Sequence, residues 1–284
     1  MNARRTWVVV LSSVCIVAAV ALYWSRPSWR GDAFGAATRI ESLQADLIFL
    51  DATDIVERGP GRVLVLRFDG PIELVPFHYE GRFESPVTID AWGDEVDFPV
   101  LFNAGQYDEA SQHLGWLKAN GQWLSEAYRA QWKALLVSAP RVGPAWSGII
   151  DLERSDPDVV DGYGSVVQSM MLVDAENGVR VRDTDRTACR TVVAQDYQGR
   201  LLVVLTEGAV TLADLGRWLT EQAQLGIVRA MNLDGGLESQ LALRTEGAAL
   251  TVYGQYGTGT FDATAGPLRR RLPAVIGIRP VAGE

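Results

Sequence analysis

The chain has 284 residues, 48% of them hydrophobic and 21% charged, with 28 glycines and 12 prolines. That composition excludes a disordered, collagen-like or disulfide-stapled chain and is enough for one large or two small globular cores. Acidic residues outnumber basic ones 35 to 26, for a net charge of −9, and two of the basic residues are lysines; nucleic acid is excluded as a partner, because binding its phosphates needs a basic footprint.

In chain order, Arg4 and Arg5 precede an uncharged apolar stretch at 7–24, with Trp7 at one end and Tyr23 and Trp24 at the other. As a helix it spans about 27 Å, close to the roughly 30 Å of a bilayer core, and its terminal aromatics suit the interfaces. No small-x-small cleavage site follows it, so the reading is a signal anchor, with a cleaved signal peptide as the alternative. The expected organisation is a cytoplasmic stub and transmembrane segment over 1–30, then one globular domain over 31–284. The protein would then be single-pass in the cell membrane, with that domain on the periplasmic side. The first thirty residues hold four arginines and no acid, leaving 22 basic against 35 acidic groups beyond them. Cys189 is the one cysteine after Cys15, so no disulfide closes within the domain.

Short apolar runs bounded by turn residues recur at 47–50, 63–68, 99–102, 135–137, 148–152, 192–194, 201–205, 241–243, 250–253 and 274–278. They are rich in Val, Ile, Leu and Phe and read as buried strands. Residues 196–200, with Gly199 at a position suited to positive φ, read as a hairpin turn. Thr211 with Asp214 forms a capping-box pattern ahead of Leu212, Leu215, Trp218 and Leu219, a helix that Gly226 ends. A second helix is expected over 124–133. The fold class expected is therefore α+β (mixed α/β): a single domain with a twisted, largely antiparallel or mixed central sheet flanked by helices.

Several chemistries lack their residues. His78 and His113 are the only histidines, and no His-Glu-x-x-His, Gly-x-Ser-x-Gly or Gly-x4-Gly-Lys-Ser/Thr motif occurs, which removes zinc-hydrolase, serine-esterase and nucleotide-triphosphatase readings. Three polar stretches stand at strand ends: 102–108, 185–192 and 232–239. Taken singly each reads as a turn, yet strand ends are where a rigid sheet holds reactive side chains.

Their order resembles the phosphodiester glycosidase family. The resemblance rests on Asn103-Ala104-Gly105-Gln106-Tyr107-Asp108, on Leu114-Gly115-Trp116 with Asn120-Gly121, and on Gln168-Ser169 with Leu172-Val173. It continues in Arg190-Thr191-Val192-Val193-Ala194, Gly199-Arg200-Leu201, the helix from Thr211, Asn232-Leu233-Asp234-Gly235-Gly236, and Arg271-Leu272-Pro273-Ala274-Val275-Ile276-Gly277. It runs from about residue 98 to 279. The chain departs from the family pattern at Leu237 and Glu238, where glycine and serine are usual, and at His113 and Ala274.

The resemblance implies hydrolysis of a glycosyl-1-phosphodiester, with a phosphorylated glycan or sugar phosphodiester of the cell envelope as partner. Phosphate leaves readily, so the reaction needs a cation on the departing phosphate and a carboxylate near the anomeric carbon more than a strong acid. Arg190 suits the first role and Asp234 the second, with Glu238 as a second catalytic carboxylate. Asn103, Gly105, Asp108, Thr191, Asn232, Gly235 and Gly236 are the expected substrate contacts, the glycines by letting main-chain N–H groups approach an anion. Asp234, Glu238, Asn232 and Asp108 are oxygen ligands of the kind magnesium or calcium prefers, but they show no liganding spacing; the sequence requires no cofactor and leaves a divalent cation and metal dependence open. A non-catalytic glycan-binding or polysaccharide-export accessory protein is the alternative.

Overall fold

Residues 34–258 and 269–281 are described by the computed structural model, all inside the unit Ala33–Glu284. Every strand pairing between named strands is antiparallel among these residues. The larger sheet runs β1 (Ala37–Ile40), β2 (Ala45–Asp51), β3 (Arg62–Phe68), β12 (Leu201–Thr206), β11 (Arg190–Asp196), β13 (Ile227–Gly235), β10 (Tyr163–Val173), β6 (Gly115–Ala119) and β7 (Gln122–Ala127). The pair β8 (Ala134–Pro140) and β9 (Ser147–Asp151) branches from β10. A second sheet orders β15 (Ala249–Tyr253), β14 (Gln240–Arg244), β5 (Val100–Asn103), β16 (Ala274–Pro280) and β4 (Ile72–His78).

The mixed α/β expectation is corrected: the fold is β-rich, with two short α-helices, α1 (Ile89–Glu95) and α2 (Leu212–Glu221), among the described residues. The helix expected over 124–133 is not formed: residues 124–127 belong to strand β7 and 128–133 are turn and coil. Asn120 (φ 50°) and Gly121 (φ 82°) both take left-handed backbone, which makes a two-residue hairpin turn and sends β7 back along β6, Ala119 opposite Gln122. The apolar runs are mostly too short for helices and find their partners across a ladder instead.

No described helix is long and apolar enough to cross a membrane. The expected single-pass membrane localisation and the membrane as partner are corrected on that finding; the predicted span at 7–24 lies outside the described residues.

Helix α2 begins as its sequence requires: Thr211 Oγ1 accepts from Asp214 N at 3.0 Å and donates to Asp214 Oδ2 at 2.6 Å. Its buried Leu215, Trp218 and Leu219 pack on Leu172, Val192, Ala194, Leu202 and Val204 of the larger sheet, each large side chain contributing about 1.5–3 kcal/mol. Side chains alternate along β11, so Thr191, Val193 and Gln195 face away from α2 and are buried as well. On that side the sheets are joined: Thr191 Oγ1 donates to Asn103 Oδ1 at 2.8 Å. Leu74 N donates to Ser138 Oγ at 3.1 Å and Ser147 Oγ to Ile72 O at 2.8 Å. Helix α1 covers the second sheet with Ile89 and Trp92 against Val75, Phe77, Leu101 and Val275.

Candidate active site

The alternation that turns Thr191 toward the second sheet sends Arg190 to the face shared by Val192 and Ala194. Arg190 is 7% exposed. Its Nε donates to Val210 O at 3.2 Å and Nη2 to Arg186 O at 2.8 Å, while its main-chain N donates to Thr206 Oγ1 at 2.9 Å. Opposite Arg190 in the ladder stands Gly235, and the register shifts between Arg190 and Val192, a bulge of the kind that re-aims side chains beside functional sites. A Cβ at 235 would lie 2.9 Å from Cys189 O and 3.1 Å from Arg190 Nη1. Gly235 therefore makes room for the guanidinium. Burial pushes Arg190 down to about 10, with Asp234 opposing the shift, so it stays a cation at neutral pH.

Asp234, the next residue back along β13, lines the same cleft, which holds about 1110 Å³. Its Oδ1 accepts from Gly235 N at 2.9 Å. Burial and then the Glu238 charge raise its pKa to about 7, against the pull of the Gly235 N–H, Arg190 and Arg270. A carboxyl poised near neutrality inside a cleft can exchange protons with a substrate or water. Glu238 closes a single 3-10 turn, Gly236–Glu238, and also lines the cleft. Its Oε1 accepts from Tyr107 Oη at 3.1 Å and from Arg270 Nε at 2.8 Å. Burial and Glu238 raise the Tyr107 phenol, so it stays a neutral donor.

The sequence-predicted residues separate into two groups. Arg190, Asn232, Asp234, Gly235, Gly236 and Glu238 come together in the cleft wall. Asn232 is 1% exposed and its Oδ1 has no partner among the described residues; Ser169 Oγ donates to its main-chain oxygen at 2.6 Å. The main-chain N–H groups of the two glycines are already engaged, Gly235 by Asp234 and Gly236 by Cys189 O at 2.8 Å. Asn103, Thr191, Gly105 and Asp108 do not line the cleft. Asn103 stands just behind it: its Nδ2 donates to Asp234 O at 3.1 Å, and its Oδ1 accepts from Thr191 Oγ1 and, at 3.3 Å, from Gln240 N. It staples β5 to the strands carrying Arg190 and Asp234. Asp108 is exposed and caps its own turn, accepting from Ala110 N and Gln112 N at 2.9 Å each. A Cβ on Gly105 would lie 2.8 Å from His113 Cε1; His113 is buried and its basicity pushed down to about 3, chiefly by burial and also by His78.

Of the four oxygen donors considered for a cation, Asp108 lies elsewhere and Glu238 is taken up by Arg270 and Tyr107. No group of three or more His, Cys, Asp or Glu side chains among the described residues is placed to hold a metal ion. Trp116 packs with Trp123 and Tyr128 at centroid separations of 6.0 and 4.4 Å, outside the cleft, whose tryptophan is Trp132.

Sequence reasoning missed Tyr107 and Arg270 and the basic wall around them. Lys133, Arg180, Arg182, Arg186, Arg190 and Arg270 line the cleft against Glu153, Asp185, Asp234 and Glu238. Six cations against four acids invert the balance of a chain whose net charge is −9. Such a local reversal concentrates anions. The run Arg269-Arg270-Arg271 was a visible signal for part of it.

The sequence model of phosphodiester glycosidases matches residues 100–279. Among solved structures, the chain is similar to the zebrafish N-acetylglucosamine-1-phosphodiester alpha-N-acetylglucosaminidase catalytic domain auto-inhibited by its pro-peptide. That likeness has a TM-score of 0.59 at 14% identity and covers 88% of this chain and 87% of that one. A protein from Synechocystis is similar with a TM-score of 0.59 at 15% identity, over 89% of this chain and 65% of that one. At these identities the likeness concerns the fold. No curated protein sequence matches.

Proposed function

The chain belongs to the phosphodiester glycosidase family, and from that premise we propose that it hydrolyses the bond between an anomeric carbon and a phosphodiester oxygen. The observation that carries the reading is the meeting of Arg190 and Asp234 in one cation-rich cleft. Arg190, its Nε and Nη2 spent on main-chain carbonyls, presents a fixed charge for phosphate oxygens. Asp234, near neutrality, takes a proton from the water that attacks the anomeric carbon. The new bond is carbon to water oxygen. The bond from the anomeric carbon to the phosphate oxygen breaks, its electron pair leaves with that oxygen, and the phosphate monoester departs against the arginine. Glu238 adds negative charge beside the developing oxocarbenium ion.

The name of the zebrafish relative directs the first assay to N-acetylglucosaminyl-1-phosphate alkyl esters, followed by other sugars. The full chain should release reducing sugar, and Asp234→Asn should lower kcat/KM at least a hundredfold, as loss of a general base typically does. Undiminished turnover in that variant would remove Asp234 from the chemistry. Saturable binding of the ester without turnover by the unaltered protein would instead assign the cleft to recognition of phosphorylated glycans.

A further inference from the structure

Of the carboxyl groups that line the cleft, Asp234 and Glu238 stand beside one another, and their surroundings are unequal. Both strong donors go to Glu238: the Tyr107 hydroxyl at 3.1 Å and the Arg270 guanidinium at 2.8 Å, converging on one oxygen, Oε1. Asp234 receives a single neutral main-chain N–H, from Gly235 at 2.9 Å, on Oδ1. Arg190 faces Asp234 from β11, but its Nε and Nη2 are committed to Val210 O and Arg186 O, and the two side chains form no ion pair.

The elements that bring these groups together are remote in sequence. Tyr107 follows β5, Asp234 is the last residue but one of β13, Glu238 closes the 3-10 turn after it, and Arg270 precedes β16. The main chain of Tyr107 also pairs with that of His113 in an isolated antiparallel bridge, which fixes the backbone that carries the phenol. Nothing local would hold Glu238 in place: the turn that carries it is three residues long and has no side-chain cap.

We infer that Tyr107 and Arg270 are positioning residues that clamp the Glu238 carboxylate beside Asp234, so that Asp234 is the group that gains and loses a proton in the cleft. The inference rests on the reading of Asp234 as the base and deepens it, since it says what tunes that base. Two negative charges in one partly desolvated cleft are costly, and the proton goes to the carboxylate with the fewer donors. The groups facing Asp234 are Arg190 from β11, Glu238 from the turn, Arg270 from the segment before β16 and Tyr107 from the segment after β5. The raised proton affinity of Asp234, with burial and then the Glu238 charge as causes, agrees with this arrangement. Each partner makes its own prediction: removing Glu238 makes Asp234 easier to ionise, and removing the Arg270 cation makes it harder.

The test uses the full chain labelled with 13C at the aspartate carboxyl, the Asp234 resonance being the one that Asp234→Asn abolishes. Glu238→Gln, which keeps the shape of the clamp, should move the Asp234 titration midpoint down by about one pH unit or more, a tenfold change in its proton affinity. Arg270→Gln should move it up, and Arg270→Lys, which keeps the charge, should stay closer to the unaltered protein than Arg270→Gln does. The acid limb of the kcat/KM profile should follow in the same order. An Asp234 midpoint unmoved by Glu238→Gln, or moved the same way by Glu238→Gln and Arg270→Gln, overturns the clamp. The titration decides this whether or not the protein hydrolyses the ester. Hydrolysis with a flat titration refutes the clamp alone, and a titration that shifts as expected without hydrolysis refutes only the assignment of the reaction.

Discussion

Asp234→Asn should make the folded protein more stable as well as inactive, and the gain should depend on pH. The Asp234 carboxyl moves from an ordinary 3.8 to about 7 in the folded chain. A folded-state pKa above the unfolded value means that the folded chain binds more protons between those two values, so this group's contribution to stability falls as pH rises through that window. At 1.36 kcal/mol per pH unit the full displacement is about 4 kcal/mol, and opening of the cleft to water brings a realistic figure nearer 2 kcal/mol. Asparagine keeps the oxygen that accepts from Gly235 N and carries no charge to desolvate. Urea unfolding at pH 8 should therefore show the variant about 2 kcal/mol more stable, or about 4–8 °C higher in Tm for a domain of this size. At pH 4.5 the difference should shrink below about 1 kcal/mol. A variant equally or less stable than the parent at pH 8, or one with the same gain at both pH values, would refute the claim that a buried, disfavoured charge sits at Asp234.

Two further substitutions probe the frame around the cleft. Asn103→Ala deletes the acceptor for Thr191 Oγ1 and Gln240 N and the donor to Asp234 O. Leaving such groups unpaired in the interior should cost about 2–4 kcal/mol in urea unfolding, with activity falling as the strands carrying Arg190 and Asp234 lose their tie to β5; a loss under about 0.5 kcal/mol would refute the staple. Gly235→Ala meets no backbone penalty, since φ at 235 is −122°, so its effect is one of space. The added methyl crowds Cys189 O and Arg190 Nη1 and should lower kcat/KM at least tenfold with a stability cost of about 1–3 kcal/mol; full activity would place Arg190 outside the reaction.

What could be read from the sequence follows from the range of the interactions. The apolar runs at 201–205 and 274–278 lie in β12 and β16, because a strand buried on both faces is apolar throughout. The Thr211 cap and the Gly199 turn are local chemistry and are found where expected. Strand β4 was missed because Pro76 breaks the pattern, yet β4 is an edge strand, where a residue without an N–H is tolerated. Strand β10 was missed because Gln168 and Ser169 interrupt it. Both polar groups are paid for by long-range bonds, Gln168 Nε2 to Arg129 O and Trp132 O at 2.9 Å each and Ser169 Oγ to Asn232 O.

The same distinction explains the site. Arg190, Asp234 and Gly235 share a ladder, so their proximity was implicit once two strands were recognised as neighbours. Arg270 and Tyr107 reach Glu238 from 32 and 131 residues away, and only the packing of the second sheet against the first puts them there. Asn103 shows why that packing matters to the chemistry. It is 1% exposed and touches no solvent-filled space to speak of, yet one of its three bonds ends on the main-chain oxygen of Asp234. A side chain expected from the sequence to contact substrate thus stands in the layer behind, tying the joint between the sheets to the main chain of Asp234. Loosening that joint should therefore reach the cleft without altering any group that lines it.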